Sequence, residues 1–431
     1  FFSDMIMANA AASLVLLAAA FCVAAVPMQP PALLHPPWGY PGYSRFPAYI
    51  FGQNTTGLDN RAQLAAEARY SMAIFGWTTA LHGLKPPQMH EERILNEQCR
   101  QFSAARAPAP AVPCGTYRDV FVATDLFATM RVAMRDLGRT DYWIRDDRGK
   151  VWVRTYPVDN VTNITGQMWN FTNPRAADYF INAVVGEYAR EVFTDTIYWD
   201  DATAEICNDE NVVPSHVTPA ERSALIDARV RVYARLIHET HAHNKWPMLA
   251  LAWLYFDNAS WPTPTPCTKT APEWTYDRVL QVLATYRHQL YGIPLDTPPG
   301  FSRFQYMPLY ANLSKTSPAQ CRALFVNTRM EAARRIPHVW WYLDETNSED
   351  LALQVAFFYT TQEAYDYFGA SSGWDDKNWV WQRPWYDLVL GVPLGPPEAS
   401  DDGFMIRREF HRNIVEVNCR TLKGKITPKP A

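Results

Sequence analysis

The chain has 431 residues, of which 48% are hydrophobic and 19% charged, and its formal net charge is −4. That apolar content excludes a disordered chain, and the near-neutral balance lacks the basic footprint of a nucleic-acid or anionic-membrane binder. With 16 Trp, 22 Tyr and 33 Pro against 19 Gly, it reads as a globular chain with stiff connections, long enough for one large α/β domain.

In chain order, the first feature is the segment Ala10–Val26, apolar apart from Ser13 and closed by Pro27. It is shorter than the ~20 residues of a spanning helix. Val23 and Ala25 fit a small-residue cleavage site, so residues 1–25 read as a secretory signal peptide. No Lys or Arg precedes the run, which is the argument for the alternative, an uncleaved anchor. Cys22 lies in this segment. Cys99, Cys114, Cys207, Cys267, Cys321 and Cys419 follow, none in a CxxC. Their pairing is open, and the spacing speaks against zinc. Sequons occur at Asn54, Asn160, Asn163, Asn170, Asn258 and Asn312. Together with the leader-like run they predict a glycoprotein with disulfides, secreted or in the secretory lumen, with no stable membrane span.

Residues 26–390 then alternate short apolar runs with helical patterns. The runs are Phe46–Phe51, Ser71–Trp77, Ala111–Arg118, Thr196–Asp200, Pro247–Trp253, Phe304–Tyr310, His338–Leu343 and Ala364–Gly369. Asn173-Pro174 offers an N-cap and a proline at the first helical position. Ala177, Phe180, Ile181, Val184, Val185 and Tyr188 follow at helical spacing. Thr218-Pro219-Ala220-Glu221 is a capping box, leading into Ile226, Val230, Tyr233 and Ile237 on one face. Ser348 precedes a helix through Leu351, Val355 and Phe358. Eight strands alternating with helices predict a (β/α)8 TIM barrel with right-handed crossovers. A doubly wound open sheet is the competing architecture, but neither GxGxxG after the first run nor GxxxxGK[ST] occurs. Asp141–Thr172 is too long for a plain loop and reads as an excursion on the barrel's top. Residues 391–431 form a C-terminal β extension and tail, with a hairpin over Phe404–Val417 and a basic, frayed end from Lys423.

Reactive groups in such a barrel sit at the carboxyl ends of strands. In Asp195-Thr196-Ile197-Tyr198-Trp199-Asp200-Asp201 the strand period places Thr196, Tyr198 and Asp200 on one face and Ile197 and Trp199 on the other. The polar set suits the barrel interior, so Asp200 points into the mouth and Asp201 away from it. Glycoside hydrolysis needs a second carboxyl group. Asp257 after the fifth run, Glu273 in the following Pro-rich loop, and Asp344 and Glu345 after the seventh are the candidates; each would otherwise be a solvated loop acid. Trp77, Trp253, Tyr255, Tyr310 and Trp374 near strand ends suit stacking on sugar rings, although most aromatics must fill the core. His238-Glu239-Thr240-His241-Ala242-His243 has Ala where a zinc-protease helix needs its second His. No GxSxG elbow occurs.

Three stretches carry a family resemblance. Trp169-Asn170-Phe171-Thr172-Asn173-Pro174, a helix, and then Asp195–Asp201 resemble "D-F-T-N-P", helix, "D-G-V-F-L-D-D". Asp146-Asp147-Arg148-Gly149-Lys150 resembles "D-x-x-G-K". Leu394-Gly395-Pro396, Phe404–Phe410 and Ile414–Asn418 resemble a closing "R-x-F-x-x-G-x-V-x-V-N" hairpin. These patterns are similar to the hypothetical TIM-barrel glycoside hydrolases related to the endo-α-1,4-polygalactosaminidase family. Asn170 stands where relatives have Asp, and Asn413 where they have the hairpin Gly. The resemblance implies a barrel hydrolase of O-glycosyl bonds with its fourth-strand acid at Asp200. No cofactor and no metal site are expected.

The leading expectation is a secreted glycosidase acting on an α-linked glycan or polysaccharide. Asp200 would be nucleophile or base, and Glu345 or Asp257 the second acid. Trp77, Asp201, Trp253, Tyr255, Tyr310 and Asp344 would contact substrate. The alternative is a catalytically inactive glycan-binding or surface glycoprotein on the same barrel, suggested by the sequons at Asn54, Asn258 and Asn312 after strand ends. A metal-dependent hydrolase using Asp200 and Asp201 ranks last, because no His-x-His pair sits at a strand end.

Overall fold

The computed structural model describes residues 42–54, 56–82, 91–107, 112–157, 163–200, 217–249, 304–307, 313, 317–333, 338–343, 348–372, 376–382 and 384–430. The 1–25 segment, Asp201, Asp257, Glu273, Asp344, Glu345, Trp253, Tyr255, Tyr310, Trp374, Asn160, Asn258, Asn312, Cys207 and Cys267 lie outside the described residues.

Eight parallel strands form the central sheet: β1 (Tyr49–Gly52), β2 (Met72–Phe75), β3 (Cys114–Asp119), β7 (Thr196–Asp200), β8 (Trp246–Leu249), β9 (Phe304–Met307), β10 (His338–Leu343) and β11 (Tyr367–Ser371). They pair in that order, and a parallel bridge between Ala48 and Phe368 joins the last strand to the first. The Phe368 N–H donates to Pro47 O at 3.0 Å across the same seam. The sheet is therefore a closed (β/α)8 barrel, and the open-sheet alternative is excluded. Each of the eight expected runs overlaps one of these strands, and residues 250–253 and 308–310 of the fifth and sixth runs lie outside the described residues. The third ends at Asp119, one residue beyond the expected Arg118.

Strand parity sorts the side chains into two layers. Outward residues meet helices: Phe75 packs on Phe102, Trp199 on Phe180 and Trp340 on Phe357. Inward residues meet across the barrel, where Phe51 packs on Tyr198 and stacks on Trp341. Close packing demands small residues at two inward positions. A Cβ on Gly115 would fall 2.4 Å from Thr196 Cγ2, and one on Gly369 would fall 2.6 Å from Tyr49 Cε1.

The expected helix starts hold. The Asn173 side chain accepts the Arg175 N–H at 3.0 Å, with Pro174 next. Phe180, Ile181, Val184, Val185 and Tyr188 are buried, and Phe180–Val185 forms a π-helical stretch within this helix. At the helix Pro219–Ala242, the Thr218 N–H donates to Glu221 and the Glu221 N–H donates back to Thr218 Oγ1. Leu351, Val355 and Phe358 of the helix Ser348–Thr361 are buried.

The excursion begins earlier than Asp141. It is a three-stranded antiparallel sheet of β4 (Val122–Thr124), β5 (Val153–Pro157) and β6 (Asn163–Met168), with only Val120 and Phe121 between it and β3. The carboxyl end of the chain also carries more structure than a hairpin and a frayed tail. β12 (Glu398–Ala399), β13 (Met405–Glu409), β14 (Asn413–Asn418) and β15 (Lys423–Pro428) form one antiparallel sheet. β15 pairs along its whole length with β14. Its Lys-Gly-Lys-Ile-Thr-Pro sequence lacks a strong apolar alternation, and it is held by tertiary contact instead. Gly424 lies so close to the helix Ser348–Thr361 that a Cβ there would be 2.6 Å from Ala356 Cβ. Cys321–Cys419 joins this sheet to the helix Pro318–Ala333, and Cys99–Cys114 joins the helix Glu91–Arg106 to β3. Among the described residues, no helix is long and apolar enough to cross a membrane.

Candidate active site

The mouth of the barrel is built on an aromatic floor. Tyr117 of β3 stacks on Tyr198 of β7 with ring centroids 5.9 Å apart. Phe51 meets both rings at a steep angle and stacks on Trp341, 5.8 Å away. Trp341 in turn packs on Trp379, and its Nε1–H donates to Ser371 Oγ at 2.7 Å. These side chains fill the interior of the barrel, as the aromatic-rich composition requires somewhere in the fold.

Asp200 stands above this floor at the carboxyl end of β7. Tyr198 below it faces the interior while Trp199 faces the helix layer, so Asp200 falls on the interior face as parity predicts. The carboxylate is only partly buried, and the Tyr117 hydroxyl donates to its Oδ2 at 3.1 Å. β3 and β7 stay paired to their ends: Asp119 is the register partner of Asp200, and the Val120 N–H donates to Asp200 O at 3.2 Å.

Asp119 is the residue that sequence reading missed. Gly115, Tyr117 and Asp119 share a face by the same alternation that singled out Asp200, and extending the third run by one residue would have revealed it. Parallel neighbours lie about 4.8 Å apart, so two acids end adjacent strands at the mouth. Their tasks differ. Asp119 is 5% exposed, and its Oδ1 accepts the N–H groups of Phe121 and Val122, each at 2.7 Å. That oxygen builds the turn from β3 into the excursion, whereas Asp200 is held by a side chain.

Behind the site, Arg118 points the other way. Its guanidinium lies between the rings of Phe127 and Tyr188, 3.2 and 3.7 Å from their centroids. Burial pulls its pKa down to about 9, against the opposing pull of Glu92. Burial works against the charge of Glu92 as well, but Arg118 and the Thr129 N–H hold its carboxyl below the usual range.

The other expected contact residues divide. Trp77 opens the helix Trp77–His82 just after β2 and is partly exposed beside the core. Asn54 follows β1 but is 5% exposed. Its Nδ2 donates to Asp59 Oδ1 at 2.7 Å, and its Oδ1 accepts from the Thr56 N–H and hydroxyl. These bonds tie the Asn54 side chain into the loop after β1. Asn163, on β6, is exposed, and Asn170 is partly exposed with its Oδ1 accepting from Thr172.

Asn170 also lines a cleft of about 470 Å³ with Asp141, Trp143, Arg145, Thr172 and Leu225. The polar groups along it already serve the fold. Asp141 Oδ2 receives Asn173 Nδ2 at 2.8 Å and pairs with Arg175, and Glu221 caps Thr218. The cleft is a seam between the excursion and the helix Pro219–Ala242. No group of three or more potential metal ligands occurs among the described residues. Near the end of that helix, His243 pairs with Glu239 at 3.3 Å.

No family model matches the chain, and no curated protein matches it. Among solved structures it is similar to an alpha-galactosidase from Thermus thermophilus, with 12% identity and a TM-score of 0.44, covering 88% of this chain and 67% of that one. An alpha-amylase from H. orenii shares 8% identity at a TM-score of 0.46, covering 88% and 90%. An alpha-N-acetylgalactosaminidase from Bifidobacterium bifidum shares 13% at 0.39, covering 89% of this chain but 57% of its own length. At such identities and scores the chemistry must be argued from this chain's own residues. The (β/α)8 fold itself follows from the strand order and closure described above.

Proposed function

We propose that the protein is a glycoside hydrolase in which Asp200 is the nucleophile or general base. The observation that carries this reading is the position of Asp200. It ends the fourth barrel strand on the interior face, held by a tyrosine hydroxyl above an aromatic floor. A carboxylate there can attack or stabilise an oxocarbenium-like centre. The second carboxyl group is Glu345 or Asp257, from the seventh or fifth strand end. The substrate is an α-linked glycan, and the resemblance to the endo-α-1,4-polygalactosaminidase relatives makes an α-1,4-galactosaminoglycan the first to try. Trp77, Trp253, Tyr255, Tyr310, Asp201 and Asp344 are the proposed substrate contacts.

The experiment is reducing-end release from a glycan panel by the wild type, Asp200→Asn and Asp201→Asn. Asp200→Asn should lower turnover by on the order of a hundredfold or more, because the amide preserves shape but cannot carry the charge. Its thermal midpoint should stay within a degree or two of the wild type, and Asp201→Asn should cost far less. Glycan retention on an array without any turnover would instead favour the inactive binder. Turnover that survives Asp200→Asn would remove Asp200 from the reaction.

The proposed route is secretory. The two disulfides among the described residues are compatible with an oxidising compartment. In a eukaryotic secretory host the mature chain should begin near Val26 and carry glycans on its sequons, Asn54, Asn160, Asn163, Asn170, Asn258 and Asn312. Peptide mapping after deglycosylation reads which of them are occupied. A chain retaining residues 1–25 and carrying no glycan would refute the secretory proposal.

A further inference from the structure

We propose that Tyr117 is a positioning residue for Asp200, fixing the carboxylate at the barrel mouth and favouring its charged form. This rests on the reading of Asp200 as the reacting acid. Three observations lead to it. Tyr117 and Tyr198 are register partners on adjacent strands, so the two rings stack and the phenol can swing little. The Phe51 ring packs nearly perpendicular to the Tyr117 ring, 6.3 Å between centroids. From that fixed ring the hydroxyl reaches across the strand pair to Asp200 Oδ2 at 3.1 Å.

The chemistry of the pair is directional. A phenol with its proton in place donates to a carboxylate, and the bond is stronger to the charged acceptor than to the neutral acid. The hydrogen bond thereby selects one orientation of the Asp200 side chain and one protonation state. A nucleophile or base needs both. On the two strands that carry the pair, the other titratable groups of the interior face are Asp119, the register partner on β3, and Tyr198, two residues before Asp200; Tyr49 and Tyr367 also face the interior, on β1 and β11. Asp119 acts in the opposite sense, as a like charge beside Asp200 that raises the cost of ionising it. Tyr117 is the group on β3 that offsets that neighbour.

The experiment separates this role from the activity. Aspartate-Cγ-labelled protein is titrated by carbon NMR, with the Asp200 resonance assigned by its loss in Asp200→Asn. Tyr117→Phe keeps the stacked ring and removes only the donor. The Asp200 midpoint should rise by about one pH unit, the size of one charge-assisted hydrogen bond. As a second variant, 3-fluorotyrosine at position 117 keeps the hydroxyl and makes it a better donor, so the midpoint should fall. On an active substrate, Tyr117→Phe should lower kcat about tenfold with KM nearly unchanged, and the acid limb of the pH profile should move up by the same amount. An Asp200 midpoint that stays put in both variants would overturn the proposal. A midpoint that moves as expected in a protein that hydrolyses no glycan would uphold Tyr117 as the partner of Asp200 and defeat the glycosidase reading alone.

Discussion

Glu92→Gln tests how the site is supported from behind. Glu92 belongs to the helix Glu91–Arg106 and is 3% exposed. Its Oε1 accepts the Thr129 N–H at 3.0 Å and the Thr129 hydroxyl at 2.9 Å, and its Oε2 accepts the Ala128 N–H at 3.2 Å. Those N–H groups open the helix Ala128–Arg135, whose own N-cap residue Phe127 supplies no side-chain cap. A carboxylate from a different helix therefore caps it, where the positive end of the helix dipole favours negative charge. The same carboxylate faces buried Arg118, which precedes Asp119 on β3. Glutamine keeps the volume but turns an NH2 group toward one of the donors and removes the charge. Hydrogen bonds to a charged group contribute about 1.5–3 kcal/mol, and a buried charge deprived of its partner costs about 3–5 kcal/mol. Arg118 keeps the attraction of Glu91, so the lower part of that range applies and a loss of about 3 kcal/mol is expected.

Urea unfolding at pH 7 of the wild type, Glu92→Gln, Arg118→Met and the double variant measures it. The double variant should lose less than the sum of the singles by about 1–2 kcal/mol, the coupling expected between interacting groups. Acid adds an independent check. The folded pKa of Glu92 lies below its ordinary value, so its stabilisation is fully present above the unfolded pKa near ~4.3 and is lost as pH falls through the lower folded value. The gap between wild type and Glu92→Gln should therefore close on acidification. A loss under about 0.5 kcal/mol at pH 7, or a gap independent of pH, would refute the reasoning.

Three further outcomes follow from the fold. Gly424→Val should cost about 1–3 kcal/mol by overpacking against Ala356 and the Leu353 backbone, and hydrogen exchange should speed up in β15 before the barrel strands. Replacing Cys321 and Cys419 by Ser should lower stability by about 2–4 kcal/mol, read by denaturant unfolding, while leaving the Asp200 titration unchanged. Asp195 is raised chiefly by burial, against the Cys114 N–H and Lys245. Its folded form therefore loses stability as pH rises from the unfolded pKa, ~3.9, through the higher folded value. Asp195→Asn keeps an acceptor for Cys114, so its stability relative to the wild type should improve across that window and stay improved above it.

Local pattern alone was enough for the elements that depend on neighbours in sequence. The apolar runs became barrel strands because a strand buried on both faces needs continuous apolar side chains. Asn173-Pro174 and Thr218–Glu221 became helix starts because caps are made within a few residues. The interior placement of Asp200 was legible for the same reason, since alternation along one strand depends only on that strand. What the tertiary structure decided is everything that depends on which segments meet. Closure through Ala48 and Phe368, the pairing of Cys99 with Cys114 and Cys321 with Cys419, and the β15 strand built on Gly424 join distant parts of the chain. The partner of the Asn54 amide, Asp59 on the loop after β1, is likewise visible only in the fold. Asp119 and Tyr117 reach Asp200 only because β3 and β7, separated in sequence by the whole excursion, are neighbours in register. Register between strands is set by packing across the entire barrel, and no periodicity within either strand encodes it.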